Sequence, residues 1–155
     1  FYTNIKGINN LLSLVNKKNL ITMVGCNLRF TPEIKKINPT TKYINVYFGY
    51  DLKKWRPQTD HLKSYSANKK LGGGVVVGRI EFKNGTIADF TLNYLLEEYQ
   101  RYYDILEDEV LKRKHITIDN QMYIDEIVYF IDCVKHNKKC MNNFQEAHNL
   151  LKKLI

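Results

Sequence analysis

Asn84-Gly85 stands between two strand-forming runs, residues 79–82 and 86–94, with Lys83 leading in. An Asn-Gly step readily takes the left-handed backbone that tight hairpins need. The two runs are therefore expected to pair antiparallel, and that pairing fixes the kind of sheet the chain can build. Residues 43–50 read as an aromatic strand covered on both faces. Residues 102–106 and 115–118 read as further short strands, and residues 20–24 as a short apolar strand. Three amphipathic helices complete the pattern. Residues 4–18 place Ile5, Ile8, Leu11, Leu12 and Val15 on one face, with Lys17, Lys18 and Asn19 as the end. Residues 120–136 carry Ile124, Ile127, Val128, Ile131 and Val134 as an expected buried stripe. Residues 143–155 begin at a capping Asn143 with Glu146 three residues on, and turn Phe144, Ala147, Leu151 and Leu154 inward. The expected class is α/β with an open, mostly antiparallel sheet and helices packed on one face. No internal repeat, low-complexity tract or linker interrupts it.

Composition bounds the possibilities. The chain has 155 residues, is 44% hydrophobic and 26% charged, and fits one ordinary domain. Its net charge of +8 favours anionic partners, or is simply a solvated lysine surface. No basic run reaches the length of a nucleic-acid tail, so a nucleic-acid partner rests on charge alone and is not expected. Cys26, Cys133 and Cys140 are odd in number and form no C-x-x-C, which suggests neither a disulfide framework nor a zinc site. A reducing cytoplasm fits that usage. No apolar stretch approaches the roughly 20 residues that span a bilayer, so no membrane partner is expected, and no signal-peptide pattern opens the chain. Phe1 rather than Met comes first, which hints at a fragment or a processed product. His61, His115, His136 and His148 lack metal-ligand spacing and read as surface residues; no metal is expected.

Residues 55–77, W-R-P-Q-T-D-H-L-K-S-Y-S-A-N-K-K-L-G-G-G-V-V-V, are the stretch with most to explain. Gly72, Gly73 and Gly74 are costly in any regular element. They imply either close approach of the backbone to something or a helix start whose free N–H groups face a ligand. Trp55 lies between Lys54 and Arg56, as a ring and cations lining a pocket or as a loop anchor. Residues 51–70 form a long irregular segment, and such segments are usually functional or mobile. Upstream, Thr31-Pro32 is a helix start. That puts Asn27 and Arg29 on the link leaving the 20–24 strand, where α/β folds bind ligands, although Arg29 could equally pair with a surface carboxylate. There is no G-x-G-x-x-G, no P-loop and no G-x-S-x-G, and Glu97-Glu98 diverge as neighbours. Chemistry alone supports an α/β binding domain.

Taken together, G-C-N-L-R-F-T-P, W-R-P…S-Y-S-A-N-K-K-L-G-G-G-V-V-V and the F-K-N-G-T-I hairpin resemble the Gfo/Idh/MocA oxidoreductases, in the same order and over nearly the whole chain. The resemblance implies an N-terminal Rossmann domain binding NAD or NADP, followed by a C-terminal α/β domain. One face of that domain's sheet binds a sugar, nucleotide-sugar or polyol substrate, and the other builds a homo-oligomer. It implies substrate contacts at Asn27, Arg29, Trp55, Arg56 and Lys69, and cofactor contacts at Trp55, Arg56, Gly72, Gly73 and Gly74. It divides the chain into residues 1–26, the end of a Rossmann domain, and 27–155, the substrate and oligomerisation domain. The departures are specific. The family's E-K-P lysine and glycine-rich dinucleotide turn do not occur, and Glu81 stands where its active-site His is expected. After the glycines the chain passes straight to the 79–82 strand. No catalytic residue is assigned. The expectation is part of an NAD(P)-dependent oxidoreductase, inactive as these 155 residues alone; the alternative is a non-catalytic oligomerisation or ligand-binding module.

Overall fold

The computed structural model describes residues 7–60, 63, 64, 67, 68, 70 and 73–153. In chain order its elements are α1 (Ile8–Lys17), a 3-10 turn (Asn27–Phe30), α2 (Pro32–Lys35), β1 (Tyr43–Asp51), α3 (Leu52–Trp55), β2 (Val75–Glu81), β3 (Ile87–Asn93), β4 (Leu95–Glu107), β5 (Val110–His115), α4 (Gln121–Lys135) and α5 (Phe144–Leu151). They gather into two compact units. One is Lys36–Thr117; the other joins the residues up to Lys35 with those from Ile118 onward.

The Lys36–Thr117 unit is a five-stranded sheet in the order β2-β3-β1-β4-β5. Three of its pairings are antiparallel, and β1 with β3 is parallel. The Asn84-Gly85 hairpin forms as expected. Phe82 N–H donates to the Thr86 carbonyl at 2.8 Å and Gly85 N–H to the Phe82 carbonyl at 2.9 Å, with Gly85 at φ 80°. This is the three-residue loop in which glycine takes the left-handed position. The expected strands at 102–106 and 115–118 are corrected. One long β4 turns at Asp108-Glu109, both at positive φ, into β5, which ends at His115. Asp tolerates the left-handed backbone, but Glu rarely takes it and no glycine marks the turn, so the sequence signal was weak. Alternation then separates the faces. Ile44, Val46, Phe48, Phe90, Tyr103 and Ile105 lie on one, with Tyr103 and Ile105 buried; Tyr43, Asn45, Tyr47, Asp89, Asp104 and Arg113 lie on the other.

In the other unit, α1 ends as expected at a left-handed Asn19, whose following N–H, from Leu20, closes on the Val15 carbonyl at 3.0 Å. Residues 20–24 form no ladder, contrary to the strand reading. Their ties are to the turn before α5: Val24 N–H donates to the Asn142 carbonyl at 2.9 Å, and Asn142 Nδ2 donates to the Val24 carbonyl at 2.7 Å. The buried-stripe reading of α4 is also corrected, since Ile124, Ile127, Val128, Ile131 and Val134 are 45–60% exposed. The helix packs instead through Met122, Tyr129 and Cys133, with the Phe30 ring centred 5.7 Å from Tyr129. Asn143 caps α5 as expected, accepting from Glu146 N–H at 3.1 Å. His148 is 1% exposed, not a surface residue.

The sheet faces give a test. Ile105, 2% exposed, becomes a cavity in Ile105→Ala, which lowers unfolding free energy by about 2–5 kcal/mol. Val77, 72% exposed, tolerates Val77→Thr within about 0.5 kcal/mol. Urea midpoints measure both; equal shifts would mean the faces are assigned wrongly.

Candidate functional site

The loop that carries W-R-P is built from Asp51 outward. Asp51 Oδ1 accepts from the Lys53 and Lys54 amides at 2.9 and 3.2 Å and so caps the one-turn α3. Leu52 is buried beneath it. Lys54 Nζ donates to the Glu97 carbonyl at 2.7 Å, which pins the loop to β4. Trp55 closes α3, and Arg56 N–H bonds the Leu52 carbonyl at 2.9 Å. The Trp55 side chain, Lys69 and Gly72 lie outside the described residues. Gly73 N–H donates to the Asn68 carbonyl at 3.0 Å, and Gly74 sits at φ 89° immediately before β2. The glycines therefore lead into a strand and not a helix.

These turns enclose a cavity of about 740 Å³. Leu52, Pro57, Ala67, Gly74, Leu95 and Leu96 supply most of its apolar wall, and Asp51, Asp60, Glu97 and Lys53 its charges. Lys54 and Lys63 meet Asp51 and Asp60 at 3.9 and 3.2 Å, which brings the described surroundings close to charge balance and leaves carboxylate oxygens able to accept from a ligand's hydroxyls. The described glycine amides present no free helix N-terminus to hold a pyrophosphate. The described residues of this loop thus form no cradle for the phosphate end of a dinucleotide. Among the described residues, no group of three metal-ligating side chains comes together.

Asn27 and Arg29 belong to the other unit, on the 3-10 turn. Asn27 Nδ2 lies 3.6 Å from Met122 Sδ, and Arg29 is exposed. The amide of neighbouring Cys26 donates to the Glu126 carboxylate, and Lys35 Nζ meets Asp125 at 3.0 Å, so α4 anchors this link.

The polar sheet face was not singled out by sequence. Arg79, Asp89, Asn45, Asp104 and Arg113 are opposite one another in register across all five strands. Arg79 grips Asp89 through Nε and Nη2 at 2.7 and 2.9 Å, and Arg113 grips Asp104 likewise at 2.7 and 3.0 Å. Tyr47 stacks on Tyr102 with centroids 5.2 Å apart, and Arg113 lies 3.8 Å over the Tyr102 ring. The Arg113 hydrogen bonds hold the Asp104 carboxyl below its ordinary range despite burial, and those of Arg79 do the same for Asp89. Burial, with the hydrogen bond to Asp89, pushes the Tyr43 phenol up. Polar residues at every second strand position were the available signal.

With this geometry in hand, the solved structures decide the fold. UDP-N-acetylglucosamine 3-dehydrogenase GnnA from Acidithiobacillus ferrooxidans superposes with a TM-score of 0.66 at 12% identity, over 97% of this chain and 64% of that one. A dehydrogenase (MviM) from Clostridium difficile gives 0.57 at 22% identity, over 94% and 65%. A dehydrogenase from Chromobacterium violaceum gives 0.60 at 8%, over 93% and 62%. The fold is the one that these solved dehydrogenase structures share. The chain spans 62–65% of the length of these structures. No family model matches the chain, and no curated protein matches it.

The two Arg–Asp grips set a pH dependence. Both carboxyls have folded-state pKa values lowered from the usual one. Their contribution is present above the unfolded value of about 3.9 and is lost as pH falls through the lowered folded values. Asp104→Asn is less stable than the parent at neutral pH, and its stability falls less steeply below about pH 4. Denaturation midpoints across pH read this; parallel curves would show that the pair does not titrate with folding.

Proposed function

We propose that this chain is the substrate-binding and oligomerisation portion of an NAD(P)-dependent oxidoreductase acting on a sugar-type alcohol, by reversible hydride transfer between a carbinol carbon and the nicotinamide. The cavity under the W-R-P loop carries the reading, on a fold shared with dehydrogenases, one of which acts on a nucleotide sugar by its name. Its carboxylates accept from hydroxyls while the apolar wall takes the ring. In this reading Trp55, Arg56 and Lys69 border the substrate. Trp55, Arg56, Gly72, Gly73 and Gly74 face the nicotinamide end, Asn27 and Arg29 lie at the junction, and the phosphates are held by residues of a dinucleotide-binding domain.

Residues 1–26 then complete such a Rossmann domain, and 27–155 form the substrate domain. The exposed apolar stripe of α4, with Leu11 and Leu14 of α1, supports this, because such faces are built to be covered. Val75 and Val77 on β2 are likewise what a second copy would cover in a homo-oligomer built through the sheet. The three cysteines are free, in keeping with a cytoplasmic setting. No helix among the described residues is long and apolar enough to cross a membrane. The group that takes the hydroxyl proton is not among these residues, so the 155-residue chain by itself is inactive.

The test has two arms. The polypeptide as its source makes it reduces NAD or NADP with at least one sugar, nucleotide sugar or polyol, while the 155-residue chain reduces neither. Turnover by the short chain defeats the claim of inactivity. If the source polypeptide reduces neither cofactor and its intact mass is 18.3 kDa, the enzyme reading fails. The non-catalytic oligomerisation module then takes its place, and sedimentation must show a dimer.

A further inference from the structure

β2 is the outermost strand on its side of the sheet among the described residues. Phe82 N–H bonds the Thr86 carbonyl, and bonded pairs alternate along an antiparallel ladder, so Ile80, Gly78 and Val76 also turn their amides and carbonyls to β3. Val75, Val77, Arg79 and Glu81 turn theirs outward. The side chains of these same residues lie on the polar face of the sheet, where Val75 and Val77 are exposed. Such a row is a template for another strand unless something blocks it.

The two edges of the sheet differ in how they are guarded. β5 carries Lys112, Arg113 and Lys114, and basic residues on an edge strand oppose edge-to-edge pairing. β2 reads Val-Val-Val-Gly-Arg-Ile-Glu, with no proline and no lysine. Its register with β3 runs from Val75 to Glu81 without a bulge, and Asp89 holds its arginine back on the sheet. The charges, Arg79 and Glu81, sit in one half of the strand and the valines in the other. A parallel copy in register would set like charges side by side. An antiparallel copy lays the charged half along the apolar half.

We propose that β2 pairs antiparallel with β2 of a second copy, about a two-fold axis at Gly78, and so joins two sheets edge to edge. Val75 then lies opposite the second copy's Glu81 and Val77 opposite its Arg79, and the whole outward row is bonded. Moving the axis by one residue leaves part of the row unpaired, and in one direction sets Arg79 against itself. The aliphatic stem of Arg79 covers the exposed Val77 of the other copy. On the opposite face, which carries Phe90, Val76 meets the second copy's Ile80. The contact is isologous, so it closes at a dimer. It adds an edge, a direction and a register to the homo-oligomer reading, and it does not rest on the enzyme reading.

Disulfide trapping tests the register. Val76 and the second copy's Ile80 form a non-hydrogen-bonded pair, with Cα atoms about 4.5 Å apart and within reach of a disulfide. Val76→Cys and Ile80→Cys are made in separate chains, each with Cys26→Ser to remove the exposed thiol. Mixed and treated with oxidised glutathione, the two chains give a disulfide-linked dimer of about twice 18.3 kDa, at several times the yield of either chain alone. No mixed disulfide, or equal yields from each chain alone, overturns the pairing. Sedimentation equilibrium supplies a second measurement. The parent dimerises, and Val77→Pro, which removes an outward N–H and spares the ladder to β3, weakens the dimer by about tenfold or more with an unchanged far-ultraviolet spectrum. A Val77→Pro dimer of parental affinity is built elsewhere, and overturns the edge. So does a parent that stays monomeric up to about 1 mM. None of these outcomes bears on cofactor reduction, so this pairing and the enzyme reading fail separately.

Discussion

Ile44 lies opposite Ile105 across β1 and β4, and one residue on, Asn45 lies opposite Asp104. Successive strand residues point to opposite faces, so this register assigns every side chain of both strands at once. A slip by one residue would carry Asp104 to the apolar side, away from the Arg113 that grips it, and would bring Ile105 into water. An uncompensated buried carboxylate costs several kcal/mol, more than the slip could regain elsewhere. The Arg113–Asp104 and Arg79–Asp89 pairs therefore fix the register from both sides of β1. The guanidiniums remain largely exposed, so the pairs hold alignment more than they add stability.

The same register explains where the W-R-P loop can sit. Between Gly49 and Asp51 the β1–β4 pairing shifts: Gly49 faces Gln100, while Asp51 faces Leu95. The irregularity frees the Asp51 side chain to cap α3, and the chain turns out of the sheet there. Such bulges commonly re-aim a strand next to a site. The loop returns through Gly74, whose φ of 89° suits glycine and strains any residue with a Cβ. The cavity thus opens between a bulge and a glycine, both at strand ends and not in the loop itself.

How much of this could be read from the amino acids depended on the range of the interaction. The hairpin at Asn84-Gly85, the Asn143 cap and the left-handed Asn19 are local, and each is where the residues placed it. The turn at Asp108-Glu109 is equally local, but carried by residues that rarely signal it. Non-local choices were hidden. α4 has apolar residues on more than one face, and periodicity does not say which face meets Phe30. Residues 20–24 have strand composition, but a strand also needs a neighbouring strand, and here the neighbour is the Asn142 turn. The site divided along the same line. The W-R-P loop was marked by its irregular length and glycines, and the described part lines the large cavity. The Arg–Asp row exists only through pairing among strands far apart in the chain.

Net charge is a poor guide to what such a molecule binds. The chain carries +8, yet around the larger cavity Asp51, Asp60 and Glu97 are set against Lys53, Lys54 and Lys63, close to balance. Much of the positive charge lies elsewhere, as at the β5 edge, where Lys112 meets Glu107 and Asp108 at 3.3 and 3.7 Å. Exposed charges separated by more than about 10 Å are largely screened at ordinary ionic strength. A ligand inside the cavity therefore responds to the few charges around it, not to the sum over the surface. That local lining follows from where β1 bulges and where the loop returns through Gly74.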